Sequence, residues 1–139
     1  MREILFRGKT ISGEWVEGLL ARKGSQYYIS NRAGSPYAYE VFLETVGQYT
    51  GTKDKNDKMI FEGDIVSNEW CFIKGNSIVK CGVYKECDMP GDYQCGHCGF
   101  YLDHSPKEND YGTRHDLMFY AGKCEIISNI YDNPELLER

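Results

Sequence analysis

The stretch that decides how this chain is read is QYTGTKDKNDKMIFEGDIV, residues 48–66. Thr50 to Lys58 contains one glycine and no apolar residue. Asp54, Asn56 and Asp57 can bond their own downstream backbone and tolerate left-handed conformations, so the segment reads as a turn. Met59, Ile60 and Phe61 form a short apolar step, and Glu62-Gly63-Asp64 forms a second turn. Ile65 and Val66 are β-branched and open a core strand extending toward Phe72. A loop, a tight turn and a core strand in this order are what a small, strongly bent β domain needs.

Working outward, Ile4 to Phe6 and Trp15 to Leu20 read as a hairpin around the turn Lys9–Glu14, with Trp15 as a core anchor. Gln26 to Ser30 is a strand with Tyr27 and Ile29 on one face and Tyr28 on the other. Residues 31–36 form a loop, and Tyr37 to Phe42 alternate. The segment Glu44 to Tyr49 is ambiguous between helix and strand. Downstream, Lys74 to Ser77 reads as a hairpin turn and Ile78 to Tyr84 as the returning strand. Residues 85–116 read as a loop-rich insertion, with 99–102 as its one strand. Leu117–Tyr120 and Lys123–Tyr131 read as closing strands. The tail is a helical turn started by Asn133 and Pro134, with Leu136 and Leu137 covering one end of the fold.

The chain resembles the YopX family of bacteriophage and prophage proteins. The central match comprises Gly47, Gln48, Tyr49, Thr50 and Gly51, then Asp54, Lys55 and Asn56, then Ile60, Phe61, Glu62, Gly63, Asp64, Ile65 and Val66. The opening Arg2–Gly8 with Trp15–Gly18, and the ending Ile127–Leu137, match as well, so the resemblance spans nearly the whole chain. It implies a mainly β fold, a small SH3-type roll or barrel, and a phage context. It carries no catalytic residues, because the family has no established activity. The expectation is one domain over residues 1–139.

Composition bounds the rest. A chain of 139 residues with 41% hydrophobic and 27% charged residues is an ordinary single globular domain. No apolar run approaches the length of a membrane span, and the N-terminus lacks a signal-peptide pattern. A cytoplasmic location in a host bacterium is therefore expected. The net charge of −5 disfavours broad binding to phosphate backbones. The charge is uneven: residues 1–58 hold nine Lys+Arg against seven Asp+Glu, and residues 59–139 hold seven against fourteen.

Six cysteines without an export signal point to free thiols or a metal site rather than disulfides. Cys95-Gly96-His97-Cys98-Gly99 has the form of a zinc knuckle, since two thiolates separated by two residues can share one tetrahedral ion. Cys87 and either His104 or His115 would complete four ligands. A zinc signal of full strength has two such pairs and this chain has one, so unligated thiols on a surface loop are the competing reading. Zinc here would be structural, because four protein ligands leave no position for water. A redox role for Cys95 and Cys98 is disfavoured because no helix follows them.

Glu62 and Asp64 are two carboxylates at the signature turn. A structural role fits them better than acid–base chemistry: Asp64 bonds turn amides, and Gly63 supplies a backbone angle other residues avoid. Lys53, Lys55 and Lys58 read as a solvated turn, because Asp54 and Asp57 interleave with them. No complete catalytic constellation is visible, and no cofactor other than zinc is suggested. The leading expectation is a non-enzymatic binding module acting on a protein partner of host or phage, through exposed aromatics such as Tyr27, Tyr37 and Tyr39, with self-association through sheet edges. One alternative is a nucleic-acid-binding barrel, requiring Arg7, Lys9, Arg22, Lys23 and Arg32 on one face. The other is a zinc-stabilised protein or metal-dependent enzyme built on the Cys/His-rich loop.

Overall fold

The structure, a computed structural model, describes residues 3–31, 37–70, 73–85, 96–103, 114–117 and 121–137. The chain forms two compact units, Met1–Gly51 and Thr52–Arg139. Both are built from antiparallel strands.

In the first unit, β1 (Phe6–Lys9) and β2 (Trp15–Lys23) form the expected hairpin, with Lys9 opposite Trp15 and Phe6 opposite Gly18. Thr10 closes its turn. Its N–H donates to the Glu14 carbonyl at 2.8 Å, and its side-chain oxygen accepts from the Glu14 N–H at 3.1 Å. β3 (Gln26–Asn31), β4 (Ala38–Val41) and β5 (Gly47–Lys53) extend the sheet in the order β4-β3-β2-β1-β5. A bridge between Thr10 and Val41 draws the end of β4 toward the end of β1 and curls the sheet. Leu5, Ile29 and Val41 are buried inside the curl. Gly8 sits opposite them, where an added Cβ would lie 3.1 Å from both Ile29 and Val41.

The ambiguous segment Glu44 to Tyr49 divides between a 3-10 turn, Leu43–Thr45, and the start of β5. The Thr45 hydroxyl donates to the Phe42 carbonyl at 2.6 Å and accepts from the Lys9 N–H at 2.9 Å, which fixes the turn against β1. Trp15 departs from expectation. It is only half-buried, held between the Arg7 guanidinium at 5.1 Å and the Lys9 ammonium at 5.8 Å from its ring centre. The register places it on the face of the sheet opposite Ile29, so its ring is stabilised by cations rather than by core packing.

The second unit begins where β5 ends and turns back into β6 (Met59–Phe61). Its sheet has the order β10-β9-β8-β7-β11. The strands are β7 (Asp64–Trp70), β8 (Ile73–Lys85), β9 (Gly96–Asp103), β10 (Arg114–Asp116) and β11 (Cys124–Asn129). Ile60, Val66, Val79, Leu102, Leu117 and Cys124 form the core cluster, and each is fully buried. At about 1.5–3 kcal/mol for each buried aliphatic side chain, this cluster is the main apolar stabilisation of the unit. The fold is therefore mainly β, as expected, but it consists of two antiparallel sheets rather than a closed barrel.

Three local readings are corrected. The hairpin turn after β7 is not at Lys74–Ser77. Trp70 pairs with Ile73, Glu69 with Lys74 and Asn68 with Gly75, so Lys74 to Ser77 are part of the strand. The polar run belongs to a strand because Ser77 is wholly buried and the Asn76 amide donates to the Leu136 carbonyl at 2.8 Å. Second, the region read as loop-rich contributes all of β9, which pairs with β8 from Ile78↔Asp103 to Lys85↔Gly96. Third, Leu117 is a buried core residue outside any strand, and β11 ends at Asn129 with an irregularity between Ile126 and Ser128.

After β11 the chain folds onto itself through Asn129. Its side-chain oxygen accepts from the Tyr131 and Asp132 N–H groups at 3.0 and 2.9 Å. A 3-10 turn, Pro134–Leu137, follows. The Asn133 side chain accepts from the Ser128 hydroxyl at 2.7 Å and donates to Glu135 at 2.9 Å, so it does not bond the turn's first amides as expected. Glu135 is held below the ordinary carboxylate value, first by that bond from Asn133. Leu136 and Leu137 are half-buried. Among the described residues no helix is long and apolar enough to cross a membrane.

Candidate functional site

Asp54 and Lys55 tie the first signature turn to β11. The loop from Asp54 to Lys58 closes through the Asp54 N–H to the Lys58 carbonyl at 2.8 Å, with Asp57 in the left-handed conformation at φ 64°. The Asp54 carboxylate is buried. One oxygen accepts from the Asn56 and Lys58 N–H groups, both at 2.9 Å, and the other accepts from the Ile126 N–H at 3.0 Å. The Lys55 N–H donates to the Cys124 carbonyl at 3.0 Å. The outer edge of β11 is thus occupied by a loop whose carboxylate stands in for a strand carbonyl. Burial alone would raise the Asp54 pKa. The amides of Ile126, Lys58 and Asn56, with the Lys58 charge, outweigh it and hold the group below its ordinary value. Around this loop Lys55 pairs with Glu125 at 3.6 Å and Lys53 with Asp57 at 3.6 Å.

The second signature turn is equally determined. Gly63 has φ +91°, a conformation that only glycine adopts without strain, and an added Cβ would lie 3.1 Å from the Tyr131 ring. Its N–H donates to the Val79 carbonyl at 2.8 Å, and its carbonyl accepts from the Ile130 N–H at 2.9 Å. Asp64 is buried and accepts from the Phe61 N–H at 2.8 Å. Ile65 and Val66 are wholly buried in β7. Gly47 and Gln48 pair with Arg7 and Phe6, while Tyr49 and Thr50 are buried beside them in β5. Each of these residues has a packing or bonding role.

Beside Gly63 lies an open cleft of about 180 Å³, lined by Glu62, Gly63, the stretch Ile78 to Cys81, Ile130 and Tyr131. It is smaller than the cavities that enclose drug-sized ligands, which start at roughly 300 Å³. Its one ammonium, Lys80, is paired with the buried Asp103 at 3.0 Å. The Cys81 thiol is raised by burial first and then by the negative fields of Glu62 and Cys98. Cys124 is buried against the Ala121 carbonyl and is pushed up to about 11, chiefly by burial. Neither thiol is an activated nucleophile.

Of the five residues expected to hold zinc, two are described, His115 and Cys98. Cys87, Cys95 and His104 lie outside the described residues. His115 is in β10, opposite Leu102. Cys98 is exposed in β9, at a position paired with Val83. Residues 96–98 are therefore extended strand and not the tight turn that a knuckle needs. Among the described residues no group of three Cys, His, Asp or Glu side chains stands ready to hold an ion. The basic set required for a nucleic-acid groove is also divided. Arg7, Lys9 and Lys23 share one face of the first sheet. Arg22 lies on the other, over the Tyr27 ring at 5.8 Å, and Arg32 is outside the described residues.

The sequence reading named only part of the group of exposed apolar side chains on and next to β4. Tyr37 is 69% exposed, Ile11 63% and Leu43 51%, and Tyr39 and Phe42 are exposed beside them. Backbone bonds bring them together: the Ile11 N–H donates to Glu40 and the Phe42 N–H to Lys9. Tyr39 and Tyr27 are diagonal neighbours on one face. Of the aromatics expected to be exposed, Tyr37 and Tyr39 are and Tyr27 is half-buried, whereas Ile11, Phe42 and Leu43 were not singled out.

The family described as YopX protein matches this chain over residues 9–138. A search of curated proteins finds no match. Among solved structures, the chain is similar to protein EF1440 from Enterococcus faecalis, with 22% identity and a TM-score of 0.47. That match covers 99% of this chain and 100% of the other.

Proposed function

The chain belongs to the YopX family, and on that premise we propose that it is a non-enzymatic interaction module that binds a protein partner through the first unit. The supporting observation is the distribution of exposed apolar side chains. Among the described residues, seven of the eight large hydrophobics left exposed lie within the first 43 positions. Five of these, Ile11, Tyr37, Tyr39, Phe42 and Leu43, gather around β4. Large apolar side chains grouped on neighbouring segments are costly to leave in water, and aromatics supply contact area at low entropic cost. The curl of the first sheet fits an open roll of the SH3 type, in a cytoplasmic, phage-derived protein. The cleft of the second unit is too small and too open for an enclosed substrate.

The test is quantitative affinity capture from lysate of the producing cells. It uses the wild-type chain, the Tyr37→Ser/Tyr39→Ser double variant and an Ile127→Ser control. Surface substitutions of this kind change stability by about 0.5 kcal/mol or less, which thermal melts check. A partner retained by wild type and control but lost by the double variant is the expected result. Equal capture by all three would refute the assignment of this surface. Sedimentation of the purified chain shows whether the partner is a second copy.

A further inference from the structure

The β8–β9 hairpin brings together two thiols that are far apart in sequence. Cys81 pairs with Phe100, and Val83 pairs with Cys98, so Cys81 and Cys98 are diagonal neighbours on one face. That face carries Phe100 against the core; beyond the core's edge it opens, and both cysteines are exposed. Glu62 and Cys81 both line the cleft, and the Glu62 charge acts on the Cys81 thiol.

The spacing decides what such a pair can do. Diagonal positions in an antiparallel sheet have Cβ atoms roughly 6–7 Å apart. A disulfide needs about 3.5–4.5 Å between Cβ atoms, so the pair does not close one without moving the strands. A tetrahedral zinc ion with Zn–S bonds near 2.3 Å holds two sulfurs about 3.8 Å apart, and the two Cβ–S bonds extend that reach to about 7 Å. The diagonal spacing falls within that reach.

We infer that Cys81 and Cys98 form a two-thiolate seat for a thiophilic divalent cation, zinc being the ion best suited, with the Glu62 carboxylate in the cleft that Cys81 also lines. Binding releases the two thiol protons to solvent, and water fills the remaining coordination positions. The seat differs from the knuckle suggested by Cys95 and Cys98, because Cys98 takes its partner from the neighbouring strand.

The experiment titrates the reduced full-length chain with Zn²⁺ against a chromogenic chelator, and with Co²⁺ to record thiolate-to-metal charge transfer. The variants are Cys81→Ser, Cys98→Ser, Cys95→Ser and Glu62→Gln. Near-UV circular dichroism checks that each keeps the fold. The expected result is one ion per chain, lost in Cys81→Ser and in Cys98→Ser and kept in Cys95→Ser. Glu62→Gln should weaken binding by about tenfold, as outer groups around metal ligands do. No binding by the wild type overturns the inference. So does loss in Cys95→Ser with retention in Cys81→Ser, which would assign the ion to the knuckle.

Discussion

Asp54 shows how much one side chain can carry. Its two oxygens bond three backbone amides across 72 positions of sequence separation. Hydrogen bonds to a buried charge are each worth about 1.5–3 kcal/mol and are not additive, so Asp54→Ala should lower stability by about 3 kcal/mol in urea denaturation. The pH dependence has a fixed sign. A carboxylate lowered in the folded state adds stability in full above its ordinary value of 3.8, and loses it as pH falls through the lowered value. The advantage of wild type over Asp54→Asn should therefore narrow in that acid range, and a constant gap would contradict the assignment. Gly63→Ala should cost about 2–4 kcal/mol, combining a left-handed backbone with displacement of the Tyr131 ring. Its unfolding midpoint is the check. Both roles were partly legible: turn chemistry marked Asp54 and Gly63, but nothing local could show that Asp54 reaches Ile126.

At the scale of elements, strands with strong alternation were readable and those with mixed faces were not. β2 and β3 follow from their β-branched and aromatic residues. Ile78 to Tyr84 of β8 were read as strand, but its start was not, because Lys74-Gly75-Asn76-Ser77 has turn composition, and only its pairing with β7 and the bond from Asn76 to Leu136 make it strand. Glycine was ambiguous for the same reason: it suits a turn and an extended pair alike, and Gly99 faces Gly82 in the β8–β9 ladder. β11 is an edge strand sealed by the Asp54 loop, and this gives an element-scale prediction. The Ile126 amide should exchange slowly with solvent in the wild type and become unprotected in Asp54→Ala, ahead of amides in β8. Equal protection of Ile126 in both proteins would mean that the loop does not seal the edge.

For the whole molecule, the sequence revealed a mainly β chain and its family, while the division into two units and the patch around β4 depended on long-range pairing. Hydrophobicity alone could not separate Val41, buried, from Phe42, exposed; the curl made by the Thr10–Val41 bridge does. The central claim is that binding is concentrated on the first unit. The most direct measurement places a photo-crosslinking amino acid at Tyr39 in one protein and at Ile127 in another, and irradiates both in the producing cells. The account predicts a discrete protein adduct from position 39 and none from position 127. An adduct from position 127 alone would contradict it.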